Sequence, residues 1–204
     1  MMHLTRLSLD SRNPQARRDL ADPYEMHRTL TRAFVSEAGQ IPPRFLWRLE
    51  PGATWHMPTV LVQSIHEADW TMLQALKGYL KRDAETKFLD PSQLLQHGVR
   101  YRFRLFANPT VTRNGKRYGL ISEDAQLAWL GRQGERRGFT VETALVTGSD
   151  LLTSRTGSMP ISLQRACFEG ILSVRDAGRL ADVLQTGIGP GKAFGCGLLS
   201  VVRC

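Results

Sequence analysis

Apolar and polar residues alternate along this chain in short blocks, and the period of the alternation changes from block to block. Residues 2–9, Met-His-Leu-Thr-Arg-Leu-Ser-Leu, alternate well enough to predict a first strand. Asn13-Pro14 and the basic pair Arg17-Arg18 read as a loop or short turn. From Asp22 the period lengthens, and Met26, Leu30, Ala33 and Phe34 form a helical stripe. Asp22 is a good N-cap, Pro23 suits the first helical position, and Glu25 falls at the third. The helix ends by Gly39, and Ile41-Pro42-Pro43 forces extended chain. Phe45 to Leu49 and Thr59 to Ile65 predict two strands joined through the turn Glu50-Pro51-Gly52. Ala68 to Leu80 carries a weak helical pattern broken at Gly78, and Thr86 to Leu89 is the candidate for a closing strand.

The second half repeats this order. Val99, Tyr101, Phe103 and Leu105 face one side of a strand, and Arg100, Arg102 and Arg104 face the other. Asn108-Pro109 and Asn114-Gly115 punctuate the next segment. Ser122 opens a helix that continues past Leu130 into Gln133-Gly-Glu-Arg-Arg-Gly138, Phe139 to Val146 and Ile161 to Val174 read as strands, and Asp176 to Gln185 is helical through Leu180, Val183 and Leu184. Leu198 to Val202 reads as the last strand. Each half is therefore βαββαβ, so the expected class is α+β with two tandem ferredoxin-like domains. The polar stretch 81–97, with the turn signal Asp90-Pro91, separates them, giving domains 1–93 and 94–204.

The last helix and last strand enclose an unusual segment, with glycine at positions 187, 189, 191, 195 and 197 and a single cation, Lys192. The order helix, glycine loop, strand is the reverse of a dinucleotide fold or P-loop. Lys192 is also followed by Ala193 rather than Ser or Thr, and Thr186 stands where a P-loop needs glycine. A C-cap glycine and a bulged strand entry explain Gly187 but not five glycines. The segment reads better as backbone built to lie against an anionic chain.

Charge points the same way. Among 204 residues there are 27 Lys+Arg against 19 Asp+Glu, a net +8, and the pI is near 9.9. Such an excess favours a polyanion, nucleic acid first. No apolar run is long enough to span a bilayer and no signal-peptide pattern opens the chain, so a cytoplasmic protein without a membrane partner is expected. Cys167, Cys196 and Cys204 form no CxxC pair, and the five histidines form no metal-ligand pair, so neither a metal nor another cofactor is expected. The aromatic stacking motif of ordinary RNA-recognition strands is not visible.

His27 is the best candidate for chemistry, because its ordinary pKa near neutrality lets it donate or accept a proton. Tyr24, His27 and Arg28 fall near one another on the first helix, and Arg32 continues the basic edge. RNA carries its own nucleophile, the 2′-hydroxyl. Cleavage then needs a base, an acid for the leaving 5′-oxygen and a cation for the charged phosphorane. A histidine, a tyrosine and an arginine can supply these. Further basic residues lie around the turn at Arg113, Lys116 and Arg117, at Arg136-Arg137, and in the Ser/Thr/Gly loop at Arg155, which is a candidate for entering an RNA groove.

Two motifs resemble the CasE-type CRISPR RNA-processing endoribonucleases: Asp22-Pro-Tyr-Glu-Met-His-Arg28 and Gly187-Ile-Gly-Pro-Gly-Lys-Ala-Phe-Gly-Cys-Gly-Leu-Leu-Ser200. Phe106 to Val111, Glu123 to Leu130 and Phe168 to Leu172 are similar to that family's middle region. The resemblance covers essentially the whole chain in order. It implies tandem ferredoxin-like domains, metal-independent cutting of CRISPR precursor RNA at the base of the repeat hairpin, retention of the product, and assembly with Cascade subunits. By position it makes Tyr24, His27 and Arg32 the catalytic residues, with arginine at 32 where lysine is frequent. It also places RNA against Arg28, Gly189, Gly191 and Lys192. Which of Tyr24 and His27 takes which proton stays open. A non-catalytic RNA-binding subunit, and a regulatory protein binding a small anion at 187–192, are the competing readings. Steep salt dependence of RNA binding separates the last of these from the others.

Overall fold

A computed structural model describes residues 1–37, 39–52, 56–156 and 159–204, with the side chains of residues 155, 156, 159 and 160 outside the description. Four strands build the first sheet: β1 (Met2–Ser8), β2 (Phe45–Leu49), β3 (Thr59–Ser64) and β4 (Glu85–Leu89). Their order is β2-β3-β1-β4, all neighbours antiparallel. The closing strand at 86–89 is therefore present, one residue longer than expected. Helices α1 (Pro14–Ala21) and α2 (Pro23–Thr31) join β1 to β2, and a single turn, α3 (Thr71–Gln74), lies between β3 and β4.

The stretch expected as a loop after Asn13 is α1. The Asn13 side chain accepts from the amides of Gln15 and Ala16 at 2.9 and 3.0 Å. Pro14 then starts the helix, so the residues that look like a turn are an N-cap and N1 pair. The stripe on this helix is short: its buried residues are Ala16 and Asp19. Asp19 is tolerated inside because Tyr79 Oη donates to it at 2.8 Å and Arg18 pairs with it at 2.9 Å.

A short helix α4 (Pro91–Leu94) leads to the second sheet, built from β5 (Arg100–Ala107), β8 (Phe139–Thr156), β9 (Met159–Val174) and β10 (Leu199–Arg203). The order β10-β5-β9-β8 repeats the first sheet's arrangement of first, second, third and fourth strands. A small hairpin of β6 (Thr110–Arg113) and β7 (Lys116–Gly119) precedes α5 (Glu123–Arg137), and α6 (Ala177–Thr186) precedes the glycine segment. β5 alternates as expected, with Tyr101, Phe103 and Leu105 buried.

β8 is much longer than the periodicity suggests, whereas β9 starts only two residues before the expected Ile161. The expected loop at 153–158 is strand through Thr156, and residues 157 and 158 lie outside the described residues. β5 pairs with β9 only as far as Ala107 opposite Ala166, so the distal half of the β8–β9 hairpin leaves the sheet as a two-stranded arm. Register shifts at Val141/Thr143 and Val146/Gly148 lie before the arm, where β9 still pairs with β5.

Each module has its own core. Leu7, Met26, Leu30, Phe45, Trp47, Val62, Leu73 and Tyr79 belong to the first. Tyr101, Phe103, Trp129, Phe139, Phe168, Leu172, Leu180 and Leu184 belong to the second, together with Met2 of β1. Burying a side chain such as Leu30 contributes about 1.5–3 kcal/mol. The modules are joined by polar contacts too. Arg48 of β2 has a side chain only 3% exposed. It ion-pairs with Glu50 and donates to the carbonyls of Arg104 and Leu198, both at 3.2 Å, and to Ser200 Oγ at 3.0 Å. Gln63 Nε2 donates to the Leu184 carbonyl.

Candidate functional site: helix, arm and glycine loop

Helix α2 presents two faces because of its spacing. Met26, Thr29 and Leu30 are buried, and Tyr24 and His27 flank them half-buried. Asp22 caps the helix by accepting from the Tyr24 amide at 2.9 Å. The His27 ring stacks on Phe45 at 4.9 Å and 24°, and Phe45 stacks in turn on Phe34 at 4.6 Å and 11°. His27 Nδ1 is buried with no hydrogen-bond partner. Burial against this aromatic column lowers the imidazole pKa from its ordinary value, so the ring is neutral near neutrality. An unpaired buried nitrogen on a neutral imidazole is an uncompensated cost, of the kind that accumulates at functional sites.

The cations fall into different surroundings. Arg28 is exposed and ion-pairs with Glu25 at 2.9 Å, while Glu25 also meets Arg18 at 3.4 Å. Arg32 opens a 3₁₀ turn (Arg32–Phe34) straight after α2 and is exposed. It lines a shallow hollow of about 580 Å³ that also contains Glu37, Glu67 and Asp69. Lys192 is held within its own loop, Nζ donating to the Gly189 carbonyl at 2.6 Å. Burial lowers its pKa, and the nearby positive charges of Arg44 and Arg137 lower it further.

The glycine loop packs more than its composition suggests. All five of its glycines have positive φ. A Cβ on Gly187 would stand 2.8 Å from Leu46 Cδ2, and one on Gly195 would stand 3.2 Å from the Trp47 ring. These two positions therefore need glycine for close packing of the loop on β2 rather than for a ligand. Phe194 packs with Leu152, Leu163 and Cys196 under the arm, and Leu198 is fully buried. Gly189 and Gly191 remain half-buried beside Trp129 and Asn108. Among the described residues, their amides donate to no other backbone group, whereas Ile188, Phe194 and Gly197 all do.

Helix α2, the arm and the glycine loop converge on a cavity of about 300 Å³ lined by Pro23, Met26, Trp47, Leu152, Thr153 and Phe194. Trp47 Nε1 is buried without a partner. Ser154 on the arm reaches α2, its Oγ donating to Asp22 Oδ1 at 2.6 Å. Arg155 follows it in the strand, but its side chain lies outside the described residues. Arg113 and Lys116 are exposed at the tip of β6–β7, where Asn114 and Gly115 adopt φ of 49° and 73°. That hairpin lies beside the arm, Gly119 against Gln164, and the two share a hollow of about 260 Å³.

Sequence reasoning missed three participants. In the sequence Phe45 reads only as a strand residue, although an aromatic opening a strand beside the helix is the available signal. Arg44 carried no signal beyond its charge. Arg48 was a charge inside the apolar run Phe-Leu-Trp-Arg-Leu, which is a sign of a buried, paired group. Among the described residues, no group of three His, Cys, Asp or Glu could hold a metal ion.

The sequence profile of the family described as CRISPR associated protein matches residues 2–203. The chain belongs to this CRISPR-associated family. A curated member, CRISPR-associated endoribonuclease Cse3 of Thermus thermophilus, is 39% identical over 98% of this chain and 99% of its own length. CRISPR system Cascade subunit CasE of Escherichia coli is 33% identical over 88% of this chain and 92% of its own. The solved structure of Thermus thermophilus Cse3 bound to an RNA representing a pre-cleavage complex superposes with a TM-score of 0.87, at 39% identity and 98% coverage of both chains. The CRISPR-associated fold of two antiparallel four-stranded sheets is thus shared over the full length.

Proposed function

We propose that this CRISPR-associated protein is an endoribonuclease that cuts CRISPR precursor RNA at the base of each repeat hairpin and stays bound to the product within a Cascade-type complex. The observation that carries the reading is His27: a neutral, half-buried imidazole with an unpaired Nδ1, one turn from Tyr24. The relatives support it, one being named an endoribonuclease and the other a Cascade subunit. In the reaction a base removes the 2′-hydroxyl proton, O2′ attacks the adjacent phosphorus, and the P–O5′ bond breaks. An acid protonates the departing 5′-oxygen, leaving a 2′,3′-cyclic phosphate and a 5′-hydroxyl. Tyr24 and His27 share the two proton transfers, and Arg32 offsets the phosphorane charge. These side chains supply every role, so the proposed reaction is metal-independent.

The modules divide the work at residues 93 and 94, the first carrying the chemistry and the second most of the grip on RNA. Arg28, Arg113, Lys116, Lys192 and Arg155 meet phosphates, and the free amides of Gly189 and Gly191 face the same strand. In this reading the protein acts on precursor RNA in the cytoplasm. Among the described residues, no helix is long and apolar enough to cross a membrane.

The test is cleavage of a repeat-hairpin RNA in EDTA. Wild type cuts, His27→Ala is slower by about 10²–10⁴-fold, and a substrate with 2′-deoxy at the cut site stays intact. Cleavage by His27→Ala at the wild-type rate overturns the assignment of the site. Wild type that binds but never cuts makes the protein a non-catalytic RNA-binding subunit.

A further inference from the structure

Asp22 is the joint between α1 and α2. Its amide donates to the Arg18 carbonyl and its own carbonyl accepts from Met26, both at 3.1 Å. Its Oδ1 accepts from the Tyr24 amide at 2.9 Å and from Ser154 Oγ at 2.6 Å. One carboxylate oxygen thus orients the first turn of α2 and grips the arm of the other module. Ser154 is 4% exposed, so water does not readily replace the bond. Around it the packing is open: Pro23 and Met26 face Leu152 and Thr153 across the 300 Å³ cavity. Among the described residues, no other hydrogen bond or ion pair joins α2 or its cap to β8.

We propose that Ser154 is a positioning residue, which sets the orientation of α2 by holding Asp22 from the arm. This rests on the endoribonuclease reading, in which α2 carries Tyr24 and His27. The arm emerges from the second sheet beyond the register shift at Val146/Gly148 and is free of β5. A hydroxyl-to-carboxylate bond is short and charge-assisted, and it holds direction as well as distance. A displacement of the arm is therefore passed to the first turn of α2, and RNA held by the second module aligns the helix of the first. The hydroxyl touches no reacting atom.

Two measurements test this together. The first is the single-turnover cleavage rate beside the affinity for a 2′-deoxy hairpin. Ser154→Ala lowers the rate by about tenfold or more and leaves the affinity within about twofold, and Ser154→Thr, which restores the hydroxyl, recovers the rate. The second is amide hydrogen exchange in the RNA-free protein. Ser154→Ala speeds exchange across residues 22–31 and leaves α5 unchanged, which a general loss of stability would not do. Wild-type rate and exchange in Ser154→Ala overturn the proposal, as does a rate that Ser154→Thr leaves low. Should the wild type bind RNA without cutting it, the function above fails while the exchange experiment still decides the coupling.

Discussion

In the first module the link from first to second strand is split into two short helices, α1 and α2; in the second it is a hairpin followed by the 15-residue α5. The second helix is a single turn of four residues in the first module and the ten-residue α6 in the second. The inner hairpin strands have 5 and 6 residues in the first, 18 and 16 in the second. Strand order is the same in both. The first module thus has a thin helical layer, and the flank of α2 is left open with His27 half-buried on it. The second has a full helical layer and sends its surplus strand length across to the start of α2. Under the proposed function, one topology is cut back where Tyr24 and His27 need access and extended where another element must be reached.

The largest effect comes from breaking the most buried polar contact between the two modules. Arg48→Ala removes four hydrogen-bonded partners of a buried guanidinium, leaving the Arg104 and Leu198 carbonyls and Glu50 short of a donor. Removing one member of a buried charged network costs about 3–5 kcal/mol. Denaturant unfolding is expected to shift by that amount and remain a single transition. The exposed pair Arg6–Glu85, half-exposed on both sides, is the control, and Arg6→Ala leaves stability close to that of the wild type. Equal losses from the two substitutions, or a second transition in wild type, would show that the modules are stable separately.

A smaller effect tests the environment of α2. Burial lowers the His27 pKa, so the unfolded chain takes up its proton at a higher pH than the folded one. The neutral ring's share of stability is then fully present above the ordinary value of 6.5 and is lost as pH falls through the folded pKa. In an NMR titration of the RNA-free protein, the His27 midpoint lies below 6.5, and melting temperature falls more steeply with acid in wild type than in His27→Asn. A midpoint at or above 6.5 would mean the ring is solvated and the first module's flank is ordinary surface.

Much of this arrangement was legible from local chemistry. The α2 helix was readable because Asp22-Pro23 is an N-cap followed by a strong stripe, and β5 because three arginines alternate with aromatics. α1 was not, since its buried residues are a small Ala16 and a paired Asp19, and Tyr79, the partner of Asp19, is distant in sequence. The arm was hidden by its own composition. Gly148 and the Ser/Thr run after it resemble a break, yet Gly148 sits at a bulge opposite Cys167 and the polar run continues the strand. The glycine loop was conspicuous for a partly misleading reason, because Gly187 and Gly195 answer to Leu46 and Trp47, residues of the other module. The unpaired Nδ1 of His27 and the Asp22–Ser154 bond depend on long-range packing, which no local spacing encodes.

The smallest expected effect bears on which module holds the RNA. Arg113 and Lys116 sit exposed at a two-residue turn and, among the described residues, enter no ion pair. Arg28 on the first module is equally exposed, but it must leave Glu25 before it can serve a phosphate. Each phosphate that a variant no longer neutralises lowers the slope of log K against log salt by roughly one unit or slightly less. Arg113→Ala combined with Lys116→Ala is therefore expected to flatten the slope by nearly two units, about 0.7–0.9 per charge. Arg28→Ala flattens it less, because Glu25 already neutralises part of that charge in the free protein. Cleavage per bound substrate stays unchanged in the double variant, since neither residue lies on α2. A slope reduced more by Arg28→Ala than by the pair would reverse the comparison, making the first module the stronger holder of phosphate as well as the seat of the chemistry.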